Sequence, residues 1–166
     1  TRFQLGTMEA NEFLYRGLSG KKIMFPQQML ERDTTMTWAG DVAEMIARLI
    51  LKREALGEVF NVSTSESHKW KDVLDYYNQI VGIQAVEVDL AEYARVKKGW
   101  WQIKYDRMFD RKVDNTKILT MVEMNQKDLM PLYEGLKLEL ETFVENPQYS
   151  CVKQEYEDLV DELIGG

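Results

Sequence analysis

The residues best suited to chemistry lie between Arg95 and Lys117. That stretch holds eight basic residues, Arg95, Lys97, Lys98, Lys104, Arg107, Arg111, Lys112 and Lys117, against three acidic ones, Asp106, Asp110 and Asp114. Its local balance is +5 in a chain of net charge -7, so the remainder carries -12. A positive segment on an acidic protein concentrates anion attraction in one place. Arginine offers a planar fork of donors for paired oxygens, and lysine offers a compact charge. Trp100, Trp101, Tyr105 and Phe109 are interleaved with these cations, and their rings could stack on a base or close over a sugar. The plainer alternative places the aromatics in the core and the charges on a solvated rim.

Other reactive residues are scattered. His68 is the one histidine, and at the start of a helix it reads as a surface or capping residue, because no cysteine or second histidine stands near it to form a metal set or a nucleophile pair. Cys151 is the one cysteine; it permits no internal disulfide, which fits a reducing cytoplasm, and it reads as a small hydrophobe in a helix. The string Tyr-x-x-x-Lys, in which a lysine can lower a tyrosine pKa, occurs at Tyr93/Lys97, Tyr133/Lys137 and Tyr149/Lys153. Its repetition shows how cheap the string is, and no catalytic residue is assigned from it. Asp114 or Asn115 reads as a helix N-cap with Lys117 in the first turn. No glycine-rich loop of the G-x-G-x-x-G kind is present, so the device that brings backbone amides to a dinucleotide pyrophosphate is missing, and no nicotinamide cofactor is expected to bind this chain.

The elements that must position these groups are clearest from Thr34 to Ser65. Thr34 to Trp38 is a β-favouring run broken by Gly40. Asp41 stands where an N-cap belongs, with Glu44 as its capping-box partner. Val42, Met45, Ile46, Leu49 and Ile50 then form one apolar stripe of an amphipathic helix. Glu58 to Val62 is short and β-rich. Upstream, Thr7 to Leu18 predicts a helix with Ala10, Phe13, Leu14 and Leu18 inward, followed by a strand over Lys21 to Phe25 and a polar loop holding Arg32. Downstream come a helix with Trp70, Val73, Leu74, Tyr77 and Val81 inward and closed by Gly82, a strand over Gln84 to Val88, and a short helix capped by Asp89. Asp128 predicts the cap of a helix with Leu132, Leu136, Leu140, Phe143 and Val144 inward, and Cys151 to Ile164 predicts a last helix with Val152, Leu159, Val160 and Leu163 inward and a solvated acidic face.

WAGDVAEMI, then GEVFNVSTSE and a tryptophan at the next helix start, resembles the C-terminal half of the extended short-chain dehydrogenase/reductases, the NAD-dependent epimerase/dehydratase family. YDRMFDRKVDNTKI resembles the basic segment ending in Asp-x-Ser/Thr-Lys that precedes the last helices of that family. The resemblance spans roughly Phe13 to Val144 and rests on the order and spacing of short pieces. It implies an α/β (α+β-like) fold, helices packed on a small sheet, the C-terminal portion of a Rossmann-type epimerase without its dinucleotide-binding half. It also implies a nucleotide-sugar substrate, with NAD or NADP held by the N-terminal dinucleotide-binding domain of the same protein. The substrate-binding residues would be Arg32, Lys104, Tyr105, Arg107, Arg111, Trp100 and Trp101, where Arg32 stands slightly ahead of the arginine that contacts the substrate diphosphate in the family. Such a portion orients substrate and is not catalytic by itself.

Length and composition bound these readings. A chain of 166 residues with 45% hydrophobic content supports one core. The expected organisation is a substrate-binding α/β domain over 1–147 and an amphipathic helix over 148–166, packed on it or on a partner; a homodimer is compatible with both. A start at Thr1 reads as a piece of a longer protein. Net acidity argues against a nucleic-acid partner, and no apolar run is long enough for a membrane span. The expectation from another class is a non-catalytic protein-interaction module that uses segment 95–117 against an acidic partner.

Overall fold

The computed structural model describes residues 11–97, 101, 103–145 and 154–165. Two short sheets and seven α-helices organise these residues. Strand β1 (Ile23–Pro26) pairs in parallel with β4 (Ala85–Val88), with Ile23 opposite Ala85. Strand β2 (Asp33–Thr34) pairs antiparallel with β3 (His68–Lys69). The helices are α1 (Arg16–Leu18), which continues a π-helical turn over Asn11–Tyr15, α2 (Ala39–Leu49), α3 (Trp70–Val81), α4 (Leu90–Val96), α5 (Thr116–Val122), α6 (Leu132–Glu145) and α7 (Gln154–Ile164). The fold is thus mixed helix and small sheets, of the general α/β or α+β kind, with two separate pairs of strands where one sheet was expected.

Apolar periodicity explains the larger core. Trp70, Val73 and Tyr77 lie on one face of α3, Leu132, Leu136, Leu140 and Phe143 on one face of α6, and all are buried. With Phe13, Ile23, Phe25 and Val160 most of them form one cluster around β1 and β4. Parallel β1 is buried along its whole length, as a strand covered on both faces must be. Gly82 ends α3 in the left-handed conformation at φ 72°, the usual glycine C-cap. Asp89 caps α4 as expected, its Oδ1 accepting from Ala91 N at 2.8 Å. A smaller second cluster joins Met45 of α2 to Ile118, Leu119 and Val122 of α5 and to Leu129.

Several local expectations gave way to long-range contacts. Thr34 to Trp38 is not one strand: only Asp33 and Thr34 pair, and the Thr35 hydroxyl donates to Arg111 O at 2.8 Å. Asp41 is not the cap of α2, which begins at Ala39 with Trp38 in the cap position. Its carboxylate, in the first turn, accepts from Met130 N at 2.8 Å, and Glu44 pairs with Arg48. Of the stripe on α2 only Met45 is buried, while Ile46 is 47% and Ile50 63% exposed. Glu58 to Val62 joins no ladder. Asp128 lies in a 3-10 turn and bonds back to Asn125 N at 3.0 Å, so it does not cap α6. Leu18 and Val144 are solvent-facing. Thr7, Ala10, Cys151 and Val152 lie outside the described residues.

The acidic face of α7 is not simply solvated. Arg16, with a fully buried side chain, donates from Nη1 to Glu157 Oε2 and from Nη2 to Asp161 Oδ1, each at 2.6 Å, and from Nε to Lys22 O at 2.6 Å. Lys21 completes the group through Asp161 at 2.6 Å. These bonds and the buried Val160 tie α7 into the same core as α1 and β1.

Candidate functional site

The basic segment is anchored by a π-helical turn over Ile103–Arg107, whose Ile103 is fully buried. Beyond that anchor the turn faces water. Trp101 is 54%, Tyr105 68% and Phe109 62% exposed. These three aromatics are therefore not core, which removes half of the plainer alternative. Lys104 Nζ lies 5.4 Å from the centroid of the Tyr105 ring, at cation-π distance. Trp100 falls outside the described residues.

Arg107 is the most constrained of the cations. Its side chain is 15% exposed, Nη1 lies 3.0 Å from Asp106 Oδ2, and Nε is buried without a hydrogen-bond partner. A guanidinium N–H left buried in that state is costly. Arg111 Nε stands 3.7 Å from Asp106 Oδ1, too long for a good hydrogen bond. Asp106 thus pairs closely with Arg107 and only loosely with Arg111, and an anion with several oxygens would compete for Arg111.

A clasp of backbone and side-chain bonds brings Arg32 to the same place. Asp33 N donates to Asp110 Oδ1 at 3.1 Å, Arg111 N donates to Asp33 O at 2.8 Å, and Lys112 Nζ lies 2.9 Å from Asp33 Oδ2. The pairing of β2 with β3 fixes this strand in turn, since Trp70 N donates to Arg32 O at 3.1 Å. Arg32 is exposed, and its guanidinium makes no hydrogen bond or ion pair among the described residues. The lysines around it are already engaged. Lys69 and Lys71 both bind Glu31, whose carboxyl is lowered to about 2, chiefly by the Lys69 hydrogen bond. The hydrogen bond to Asp33 raises Lys112. Arg32, Arg107 and Arg111 therefore each keep donors to offer, on two chain segments far apart in sequence.

Sequence reasoning missed Asp33, the residue that joins the two halves. Its type carried no signal, because its role depends on a partner strand and on a segment that arrives much later. His68, expected as a surface or capping residue, lies in strand β3, and Lys69 takes the cap position of α3. With Nε2 donating to Glu66 Oε1 at 2.8 Å, its Nδ1 accepts from Tyr76 OH at 3.3 Å, a tautomer assigned from the bonding pattern. Burial, together with Asp72 and Glu66, raises the Tyr76 hydroxyl, which suits a neutral hydrogen-bond donor and not a nucleophile. Glu66 Oε2 also accepts from Leu132 N at 3.0 Å, so the group braces the start of α6.

Lys117 lies in the first turn of α5, after Asp114, whose carboxylate accepts from Thr116 N at 2.9 Å. It binds Glu58 at 2.6 Å. Among the described residues no three His, Cys, Asp or Glu side chains converge to hold a metal ion, and no helix is long and apolar enough to cross a membrane. The arginine surface is open. Two depressions, of about 670 and 660 Å³, lie beside α5, and of the basic segment 95–117 they are lined by Lys117 and by Asn115 and Thr116 respectively. No protein-family model matches the chain, and no curated protein matches it.

Proposed function

We propose that this chain is the substrate-binding portion of an NAD(P)-dependent nucleotide-sugar epimerase, dehydratase or reductase, acting in a reducing cytoplasm. The carrying observation is the surface itself: Arg32, Arg107 and Arg111 are joined through Asp33 and Asp106, and the rings of Trp101 and Tyr105 in the same basic segment are exposed. Diphosphate oxygens would take the buried Arg107 Nε and the loosely held Arg111, while Arg32 approaches from the neighbouring strand. Lys104 and Tyr105, in cation-π contact with each other, would close over the sugar or base, and the exposed ring of Trp101 would add to that cover.

An open surface suits half of a cleft better than a complete pocket. The other half would come from a dinucleotide-binding domain that holds NAD or NADP and supplies the hydride chemistry. No residue of this chain is assigned to the cofactor, since the sequence has no glycine-rich phosphate loop. The second reading, a protein-interaction module, is favoured by one feature: exposed tryptophan, tyrosine and arginine together are also the composition of a protein-binding hot spot.

A titration of nucleoside diphosphate sugars into the protein made from its complete gene, followed by tryptophan fluorescence, tests the proposal. Each arginine supplies a charge-assisted bond, so Arg107→Ala and Arg111→Ala are expected to weaken binding by roughly 1.5 to 3 kcal/mol, and Arg48→Ala not at all. Arginine variants that bind like the unaltered protein would refute the anion site and leave the interaction module.

A further inference from the structure

Asp106 meets both arginines of the basic segment, with a separate oxygen for each. Oδ2 lies 3.0 Å from Arg107 Nη1, and Oδ1 lies 3.7 Å from Arg111 Nε. The backbone sets up this arrangement. Met108 N donates to Ile103 O at 3.0 Å and closes the π-helical turn, and Phe109 N donates to Asp106 O at 3.2 Å, so the chain reverses and returns Arg111 toward Asp106. One carboxylate shared by two guanidinium groups is the pattern that a ligand oxyanion would make with the same pair.

Of the three side chains, the carboxylate is the one free to leave. Arg111 is pinned through its backbone, its N donating to Asp33 O and its O accepting from Thr35 Oγ1, each at 2.8 Å. The Arg107 side chain is 15% exposed, whereas that of Asp106 is 49% exposed and has water beside it. Ion pairs at such exposure are weak. The contacts are also single ones, through Nη1 of one arginine and Nε of the other, where the planar fork can bind two oxygens of one group at once.

We propose that Asp106 is a gate on the arginine pair: it engages Arg107 and Arg111 until a polyanionic ligand of the diphosphate class arrives, then turns into water, and so lowers the affinity of the site. This deepens the reading given above and rests on its anion site, but not on the base or the sugar of the ligand. A site open only part of the time has an apparent dissociation constant equal to the intrinsic one divided by the open fraction. For a pair as weak as an exposed one, Asp106→Asn should therefore tighten anion binding by roughly two- to sixfold. A carboxylate whose work was to hold the arginines in place for the ligand predicts the opposite sign.

The test is a titration of inorganic pyrophosphate into the 166-residue chain at about 0.15 M salt, followed in NMR by the arginine Nε–Hε and the carboxyl carbon resonances. Asp106→Asn is expected to tighten binding by that factor. Glu44→Gln removes the same charge from a pair with Arg48 on α2, and is expected to change binding by less than about 1.5-fold, since salt screens charges outside the contact. In the unaltered protein the Asp106 carboxyl resonance is expected to move at saturation, as its arginine contacts are lost. Binding by Asp106→Asn equal to or weaker than that of the unaltered protein would overturn the gate. So would equal tightening by Glu44→Gln, which would assign the effect to net charge, or an Asp106 resonance that stays put at saturation. Absence of pyrophosphate binding in both Asp106→Asn and the unaltered protein would overturn it as well. Pyrophosphate carries neither base nor sugar, so the gate can stand where the nucleotide-sugar titration fails, and that titration can succeed where Asp106→Asn does not tighten.

Discussion

Replacing Arg16 by alanine is the sharpest test of how the two ends of the described chain are joined. The side chain is fully buried and makes three bonds, to Lys22 O, Glu157 and Asp161, each at 2.6 Å. Its removal leaves Glu157, with a side chain only 9% exposed, facing Lys21 at 3.5 Å as its one remaining cation among the described residues. Deleting one partner of a buried ion pair costs about 3 to 5 kcal/mol, because the survivor stays desolvated and uncompensated. Lys21 is partly exposed and screened, so it offsets little of this. The double substitution Arg16→Met with Glu157→Leu removes both charges and fills the space with apolar volume, which is often neutral. It is expected to be milder than Arg16→Ala by about 2 kcal/mol or more. Urea unfolding followed by circular dichroism measures both variants. Asp161 adds a pH signature: hydrogen bonds from Lys21 and then Arg16 lower its pKa. A depressed carboxylate contributes stability above its ordinary pKa and loses it as pH falls through the folded value. The gap between Arg16→Ala and the unaltered protein should therefore narrow below about pH 4. A cost for Arg16→Ala under about 1 kcal/mol, or a double variant no milder than the single, would refute the argument.

Gly17→Ala should destabilise by about 1 to 3 kcal/mol as overpacking. A Cβ at Gly17 would lie 2.5 Å from Ile83 Cγ1 and 2.9 Å from its Cγ2 and Cδ1, and Ile83→Val should relieve little because it removes only Cδ1; thermal melts of the single and double variants decide this. The Glu31 carboxyl should titrate near 2 by carbon NMR, its ion pairs with Lys69 and Lys71 persisting until pH falls through that value, and Lys69→Met should move it back toward 4.5. A Glu31 titration near its ordinary value in the unaltered protein would refute its ion pairs with Lys69 and Lys71.

Helical periodicity was legible because it is local. The faces of α3 and α6, the glycine cap at Gly82 and the Asp89 cap follow from neighbours three or four residues apart, and the structure keeps them. Asp41 and Asp128 carry the same capping signal and do other work, because a carboxylate takes whichever backbone amide the fold brings nearest, Met130 N for one and Asn125 N for the other. The β-rich runs Thr34 to Trp38 and Glu58 to Val62 have strand propensity in full. A strand also needs a partner edge, and for most of these residues the described chain provides none.

The sequence by itself determined that the cations and aromatics of the basic segment occur together, since that is a matter of composition over a short window. Only the tertiary structure decided which of them are available. Ion pairing by Glu31, Asp33 and Glu58 occupies Lys69, Lys71, Lys112 and Lys117, while Arg32 and Arg111 meet through Asp33. Charges are spent on the nearest opposite charge in space, and that distance is set by strand pairing and loop closure across dozens of residues. The same reason explains Arg16 and Glu157: one-dimensional order places them at opposite ends, and packing of α7 on α1 makes them one buried pair.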